Sequence, residues 1–148
     1  MSEAEKTAPF VDSLKKESYF RKISDRFQIG TPDILGCYKG LFIAIEVKYV
    51  DSVPQDGFVP SLSQHGFTKP QIKELAAIES AGGVGVALVI CGDRAFWFTA
   101  EQINSEGQVN CLRAIENNRV IKKAHGAWDV HPVLEFFYET KSGEDTFR

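Results

Sequence analysis

Two acids and a lysine fall close together between Gly30 and Lys48. Asp33 follows the breaker Gly30-Thr31-Pro32, and Glu46 and Lys48 close the apolar run Leu41–Val47. Pro32 biases Thr31 away from the helical region, so Asp33 is expected at the start of a strand. Side chains alternate along a strand, which points Glu46 and Lys48 to one face and Val47 into the opposite layer. If the two strands form a hairpin, Asp33 approaches Glu46 near the sheet edge. Carboxylates held close together repel each other and so attract a divalent cation. All-oxygen donors suit Mg²⁺, with Mn²⁺ as a substitute, and such an ion keeps several waters. The backbone carbonyl of Val47 lies between the two side chains and is a third candidate ligand. A cation there would polarise a phosphoryl oxygen and lower the pKa of a bound water. Lys48 would stabilise charge on the phosphate or position the attacking water. The bland alternative is a solvated strand face, which is common for a lone Glu-x-Lys pair. The apolar strand, the preceding Pro-Asp and the glutamine opening the next helix, Gln71, weigh against it.

The elements that must position these residues can be read from periodicity. Residues 2–16 form a predicted amphipathic helix, with Phe10, Val11 and Leu14 on one face and Thr7 extending it. Alternation predicts a strand over 18–27, and a second, short one over 34–37. Tyr38-Lys39-Gly40 is a turn, and 41–47 a buried strand. Residues 51–67 carry two prolines and two glycines and read as a long loop, functional or mobile. Thr68 is a candidate N-cap and Pro70 fits the first turn of a helix reaching Ala81. Gly82-Gly83 stops it. Strands follow over 84–90 and 95–99, joined at Gly92-Asp93. A short helix is expected at 100–103, another over 111–119 and a last short element over 132–139. The tail from Lys141 is expected to fray.

This order predicts an α/β fold with a central mixed β-sheet flanked by helices. The strands around Ile43 and Leu88 should be central and parallel, joined by a crossover through the Gln71 helix. The 148 residues suit a single domain, with a core over about 10–105 and a C-terminal elaboration over 106–148.

The chain is 43% apolar and carries a net charge of −3, which counts against a protein that coats nucleic acid nonspecifically. No apolar run approaches the roughly 18 residues of a membrane span, and the N-terminus lacks a signal peptide's features. A cytoplasmic location and no membrane partner are expected. The cysteines are three, Cys37, Cys91 and Cys111, with no Cys-x-x-Cys pair. Neither a disulfide framework nor a structural zinc is expected, and Cys91, ending an apolar run, reads as a buried thiol.

Gly30 to Lys48 resembles the signature of the PD-(D/E)xK nuclease superfamily: Pro32-Asp33, an apolar strand, then Glu46-Val47-Lys48. Thr68-Lys69-Pro70-Gln71 resembles the glutamine motif of its resolvase-like branches, including VRR-NUC domains. The layout over residues 50–103 is similar to that of RecU-type Holliday junction resolvases. The resemblance implies a restriction-endonuclease-like core over roughly 10–105. It also implies metal binding by Asp33 and Glu46, a catalytic Lys48, and a Gln71 that orients water, phosphate or Lys48. Many members add an acid from the first helix, for which Glu3, Glu5 and Glu17 are the candidates. No stretch matches the stalk segment of the RecU-type enzymes.

Lys15, Lys16, Arg21, Lys22 and Arg26 form a basic run beside the predicted site, and Lys69 opens the glutamine helix. They could hold phosphates, or be a solvated face. Arg113, Arg119, Lys122 and Lys123 carry the same ambiguity. His65 could touch substrate but reads first as an incidental loop histidine. His125 and His131 have no zinc spacing. Phe96, Trp97 and Phe98 read as strand core rather than a base-stacking platform. Ser61 and Ser63 near His65 lack a nucleophile elbow. The expected function is a Mg²⁺-dependent DNA endonuclease, acting as a homodimer on branched DNA such as a Holliday junction. Other nucleases of the superfamily and an inactive nucleic-acid-binding module are the alternatives.

Overall fold

Alternation along the strands sorts the apolar residues into two cores, one on each face of a sheet. The computed structural model describes residues 3–23 and 29–146. In chain order the elements are α1 (Glu3–Glu17), β1 (Tyr19–Lys22), β2 (Ile34–Tyr38), β3 (Leu41–Tyr49), β4 (Phe58–Val59) and α2 (Lys69–Ser80). They continue with β5 (Val84–Cys91), β6 (Arg94–Phe98), β7 (Val109–Asn110), α3 (Cys111–Glu116), β8 (Val120–Ala124), β9 (Ala127–Trp128) and α4 (His131–Thr146). Seven strands form one sheet in the order β1-β2-β3-β5-β6-β8-β9, and β4 pairs with β7 apart from it. Among the described strands only β3 and β5 run parallel, Ile43 beside Val84 and Val47 beside Leu88, with α2 in the connection between them. The mixed sheet, the central parallel pair and the helical crossover agree with the expectation.

Odd positions of β3 (Ile43, Ile45, Val47) enter the first core with Phe10, Val11 and Leu14 of α1 and Leu134 and Phe137 of α4. The second core joins Ala87, Val89, Phe96 and Phe98 to Leu75 of α2 and Ala114 of α3. Helices thus cover both faces. Burying these side chains is worth about 1.5–3 kcal/mol each for the larger ones, so the sheet and both helical layers stabilise one another. None of the described helices is long and apolar enough to cross a membrane.

Four features differ from the sequence expectation. The first strand is short, Tyr19–Lys22; residues 24–28 lie outside the described residues. Two strands that lack strong alternation, β8 and β9, extend the sheet beyond β6. The C-terminal helix does not end at 139 or fray at Lys141 but runs sixteen residues to Thr146. Lys141 Nζ binds Glu79 Oε2 at 2.9 Å, tying that helix to α2. Finally, the 51–67 segment is not a free loop. Its β4 pairs with β7, and Cys111 N donates to Gly57 O at 2.8 Å.

α2 can lie close on β5 because Gly85 has no side chain: an added Cβ would sit 2.3 Å from the Leu75 carbonyl oxygen. Gly85→Val should therefore destabilise the fold by about 1–3 kcal/mol through overpacking, despite valine's strand preference. Urea unfolding of both proteins checks this, and an unchanged midpoint would refute the close-packing account.

Candidate active site

The β2–β3 hairpin turns at Lys39-Gly40, both at positive φ (51° and 83°). Its register pairs Ile34 with Ile45, so Asp33, one step beyond, falls opposite Glu46. Asp33 Oδ2 accepts a hydrogen bond of 2.8 Å from Val47 N. The side chain thus takes over where the strand ladder ends. Within a strand a residue's N–H and C=O face the same neighbour, so the Val47 carbonyl is turned to the Asp33 side as well.

Glu46 is 2% exposed. A buried carboxylate is costly unless it is hydrogen-bonded or paired. Gln71 Nε2 donates to Glu46 Oε2 at 2.8 Å. The other end of the same amide caps α2: Gln71 Oε1 accepts from Thr68 N at 2.9 Å, while Gln71 N donates to Thr68 Oγ1 at 3.3 Å. This capping box fixes which end of the amide faces the acid. Lys48 Nζ lies 4.0 Å from Glu46 Oε2 and 5.7 Å from the centre of the Phe67 ring. Glu46 and Lys48 share the α2 face, and Val47 enters the opposite core, as alternation requires.

These residues line a cavity of about 360 Å³. Asp33, Glu46, Val47, Lys48 and Gln71 all face it. Of the three candidate acids on α1, Glu3 lines the cavity. Glu5, two residues on and so about 200° round the helix, is exposed and is not on the wall. Glu17 is fourteen residues further along the helix than Glu3, about 21 Å at 1.5 Å per residue, and its Oε1 lies 2.5 Å from His131 Nδ1.

Sequence reasoning missed part of the wall, Tyr49, Pro60 and Gln64, and gave His65 a place at the site only as its second reading, although His65 lines the cavity. The available signal was the length of the 51–67 segment; what brings it over the cavity is a set of contacts with residues 107–111, which no local pattern reveals. Tyr49 shares a 2.6 Å hydrogen bond with Thr7. Burial pushes its hydroxyl pKa up to about 12, with the negative charges of Asp33 and Glu3 adding and the Thr7 bond opposing.

The basic residues stand off the cavity. Lys15 and Lys16 are exposed on the last turn of α1, away from Glu3. Arg21 is exposed and Lys22 half-buried on the edge strand β1. Lys69 is exposed at the first position of α2, and Arg26 lies outside the described residues. Of the second cluster, the Arg119 guanidinium covers the Trp97 ring at 5.5 Å and Lys123 covers Trp128 at 5.7 Å, towards the opposite edge of the sheet. His125 sits between β8 and β9. Phe96, Trp97 and Phe98 are buried, as expected of strand core. The fully buried thiol is Cys111, pushed up to about 12 by burial, whereas Cys91 is only half-buried and Cys37 exposed. Cys91 ends its strand, and the sheet's end leaves it partly open.

The donor set suits a hard divalent cation. Asp33, Glu46 and the Val47 carbonyl offer oxygen alone, the preference of Mg²⁺ and Mn²⁺. Among the described residues no three acids, histidines or cysteines converge into a cage. Mg²⁺ commonly takes one or two carboxylates and keeps its waters, so the Asp33–Glu46 pair fits it.

No protein-family model matches the sequence, and no curated protein matches it. Among solved structures the chain is similar to Hjc, a Holliday junction resolvase from the archaeal hyperthermophile Archaeoglobus fulgidus. The two share 14% identity with a TM-score of 0.49, over 70% of this chain and 76% of that one.

Two stability predictions follow from the site's wiring. Gln71→Ala removes a partner from a buried carboxylate and from a helix cap together, and should cost about 1–3 kcal/mol; a loss under about 0.5 kcal/mol in urea unfolding would contradict the assigned role. Tyr49 ionises near 10 when unfolded but near 12 when folded. The native state then holds the proton longer, so its stabilising contribution is complete below pH 10 and is lost as pH rises towards 12. Tyr49→Phe should show a shallower fall in thermal midpoint over that window than the parent.

Proposed function

We propose that this chain is a DNA endonuclease of the PD-(D/E)xK type, dependent on Mg²⁺ with Mn²⁺ as substitute, that hydrolyses phosphodiester bonds in branched DNA such as a Holliday junction. The supporting observation is the wiring of Asp33, Glu46, Lys48 and Gln71 around one cavity. A carboxylate kept buried and held by an amide, beside a lysine, costs stability that a merely structural strand could avoid with an apolar residue. The junction preference rests on the sequence resemblance alone.

Hydrolysis adds water across a P–O bond, leaving a phosphate on one fragment and a hydroxyl on the other. Asp33, Glu46 and the Val47 carbonyl are the groups that would hold the cation, which supplies Lewis-acid polarisation of the phosphate and a more acidic water. The Lys48 ammonium stabilises negative charge growing on the phosphate oxygens, in a half-buried place where water screens it less. Gln71 keeps Glu46 in one orientation, so the donor set needs little rearrangement. Glu3 is the acid from the first helix best placed to add a further oxygen. Cutting two strands symmetrically needs two sites, so a C₂ homodimer of single-domain chains is the assembly proposed.

Supercoiled plasmid, linear duplex and a synthetic four-way junction, incubated with Mg²⁺, Mn²⁺ or EDTA, test the proposal. The parent should cut the junction preferentially with either metal and not in EDTA. Glu46→Gln and Asp33→Asn should each lower the rate at least about a hundredfold, the scale of losing a principal electrostatic group, with junction binding retained. Cutting in EDTA, or full activity in both variants, would overturn the mechanism. Equal cutting of all three substrates would remove the junction preference and leave a general nuclease.

A further inference from the structure

We infer that Gln64 and His65 form a phosphate-contacting jaw over the cavity, donating hydrogen bonds to the backbone of the strand to be cut. This rests on the nuclease reading above. Both residues line the same cavity as Asp33, Glu46 and Lys48, yet both are exposed and come from a different part of the chain. Among the described residues none hydrogen-bonds the His65 ring.

The jaw is built on fixed feet. On one side, Val59 pairs with Val109, and Gln108 Nε2 donates to Pro60 O at 2.8 Å. On the other, Phe67 N donates to Gly107 O at 2.9 Å, and an added Cβ on Gly66 would lie 2.4 Å from that same oxygen. Phe67 is itself buried, with Lys48 above its ring. Between the feet, residues 61–65 turn back on themselves: Gln64 N donates to Ser61 O at 2.9 Å. Much of the ordering cost of this tip is therefore met in folding rather than on binding.

The donor inventory of the cavity favours a role for these two. Its floor carries carboxylates, which repel phosphate, and Lys48 is the cationic side chain on its wall. The amide of Gln71 accepts from Thr68 and gives one of its two N–H groups to Glu46. The hydroxyl of Tyr49 is shared with Thr7. Ser61 Oγ donates to Gln64 Oε1 at 3.2 Å, which leaves the Nε2 end of that side chain as donor. A histidine ring offers one N–H donor when neutral, in either tautomer, and two when charged. Gln64 and His65 thus give the cavity phosphate donors outside the glutamine helix.

The chain has only three histidines, His65, His125 and His131, so ring ¹⁵N–¹H spectra can follow each one. In EDTA, titration with a four-way junction should shift the His65 ring signals and leave those of His125 and His131 in place. In Mg²⁺, His65→Ala should raise KM about tenfold, the weight of one hydrogen bond to a charged group, with kcat within about threefold. His65→Asn keeps an N–H donor and should recover part of the loss; Ser63→Ala, off the cavity wall, should change neither constant. A His65 ring unmoved at saturating DNA, or His65→Ala with an unchanged KM, would overturn the jaw. Ring shifts without cleavage by the parent in any metal would uphold the contact and sink the nuclease reading, while a parent that binds no DNA would overturn both.

Discussion

The structure turns on one constraint: Glu46 is a carboxylate in the second core, at 2% exposure, and something must hold it there. Removing a carboxylate from water costs several kcal/mol unless polar partners replace the water. One such partner is Gln71, and it is fixed by more than the bond it makes. Its amide closes the capping box of α2, so the start of the helix and the seating of the acid are one interaction. The position of α2 is set in turn by backbone contacts. Gly85 lets Leu75 approach β5, and Gly30, at φ +89°, lies where a Cβ would meet the Pro70 carbonyl at 2.8 Å. The turn before Asp33 therefore rests on the first turn of the helix that carries Gln71. The two acids are positioned against each other through α2 as well as through the hairpin.

The C-terminal third serves the site from a distance. Residues 104–111 do not reach the acids, but they anchor the 51–67 segment on both sides through β7, Gln108 and Gly107. α3 then packs Cys111 and Ala114 into the second core beneath β6. β8, β9 and α4 extend the sheet and close the first core. A cavity wall that looks like an insertion is thereby braced by chain that follows the crossover strands.

How legible each part was depends on the range of the interaction behind it. The parallel β3–β5 pair was legible because both strands are long, apolar and separated by one capped helix. The shared face of Glu46 and Lys48 needed only the two-residue repeat of a strand. The N-cap at Thr68 is a local exchange over three residues. By contrast, β8 reads Val-Ile-Lys-Lys-Ala, too polar to announce a strand, and it forms because β6 offers an edge, Ala95 beside Ile121. Residues 58–59 are a strand only because Asn110 and Val109 pair with them. The same long-range contact brings His65 to the cavity, which is why an incidental loop histidine was the natural reading. Among the α1 acids, helical spacing alone could not choose; Glu3 is singled out because it stands at the end of the helix that Thr7 holds against Tyr49.

The distribution of charge bears on how such a site could accept a polyanion. The chain is acidic overall, and its cavity floor is acidic too. Lys15, Lys16, Arg21 and Lys69 are solvated and off the wall, and exposed charges fade over a Debye length of about 8–10 Å. They stand too far off to cancel the charge of Asp33 and Glu46, and on the nuclease reading would attract flanking phosphates instead. On the nuclease reading, that cancellation falls to the cation and to Lys48, so seating of the scissile phosphate is coupled to occupation of the acid pair. Hydrogen-bond donors on the 61–65 tip would then carry orientation. A strand could be held along its flanks and by the 61–65 tip before the acids are compensated, yet seat its scissile phosphate against the acid pair only afterwards, which separates binding from cutting within one small surface.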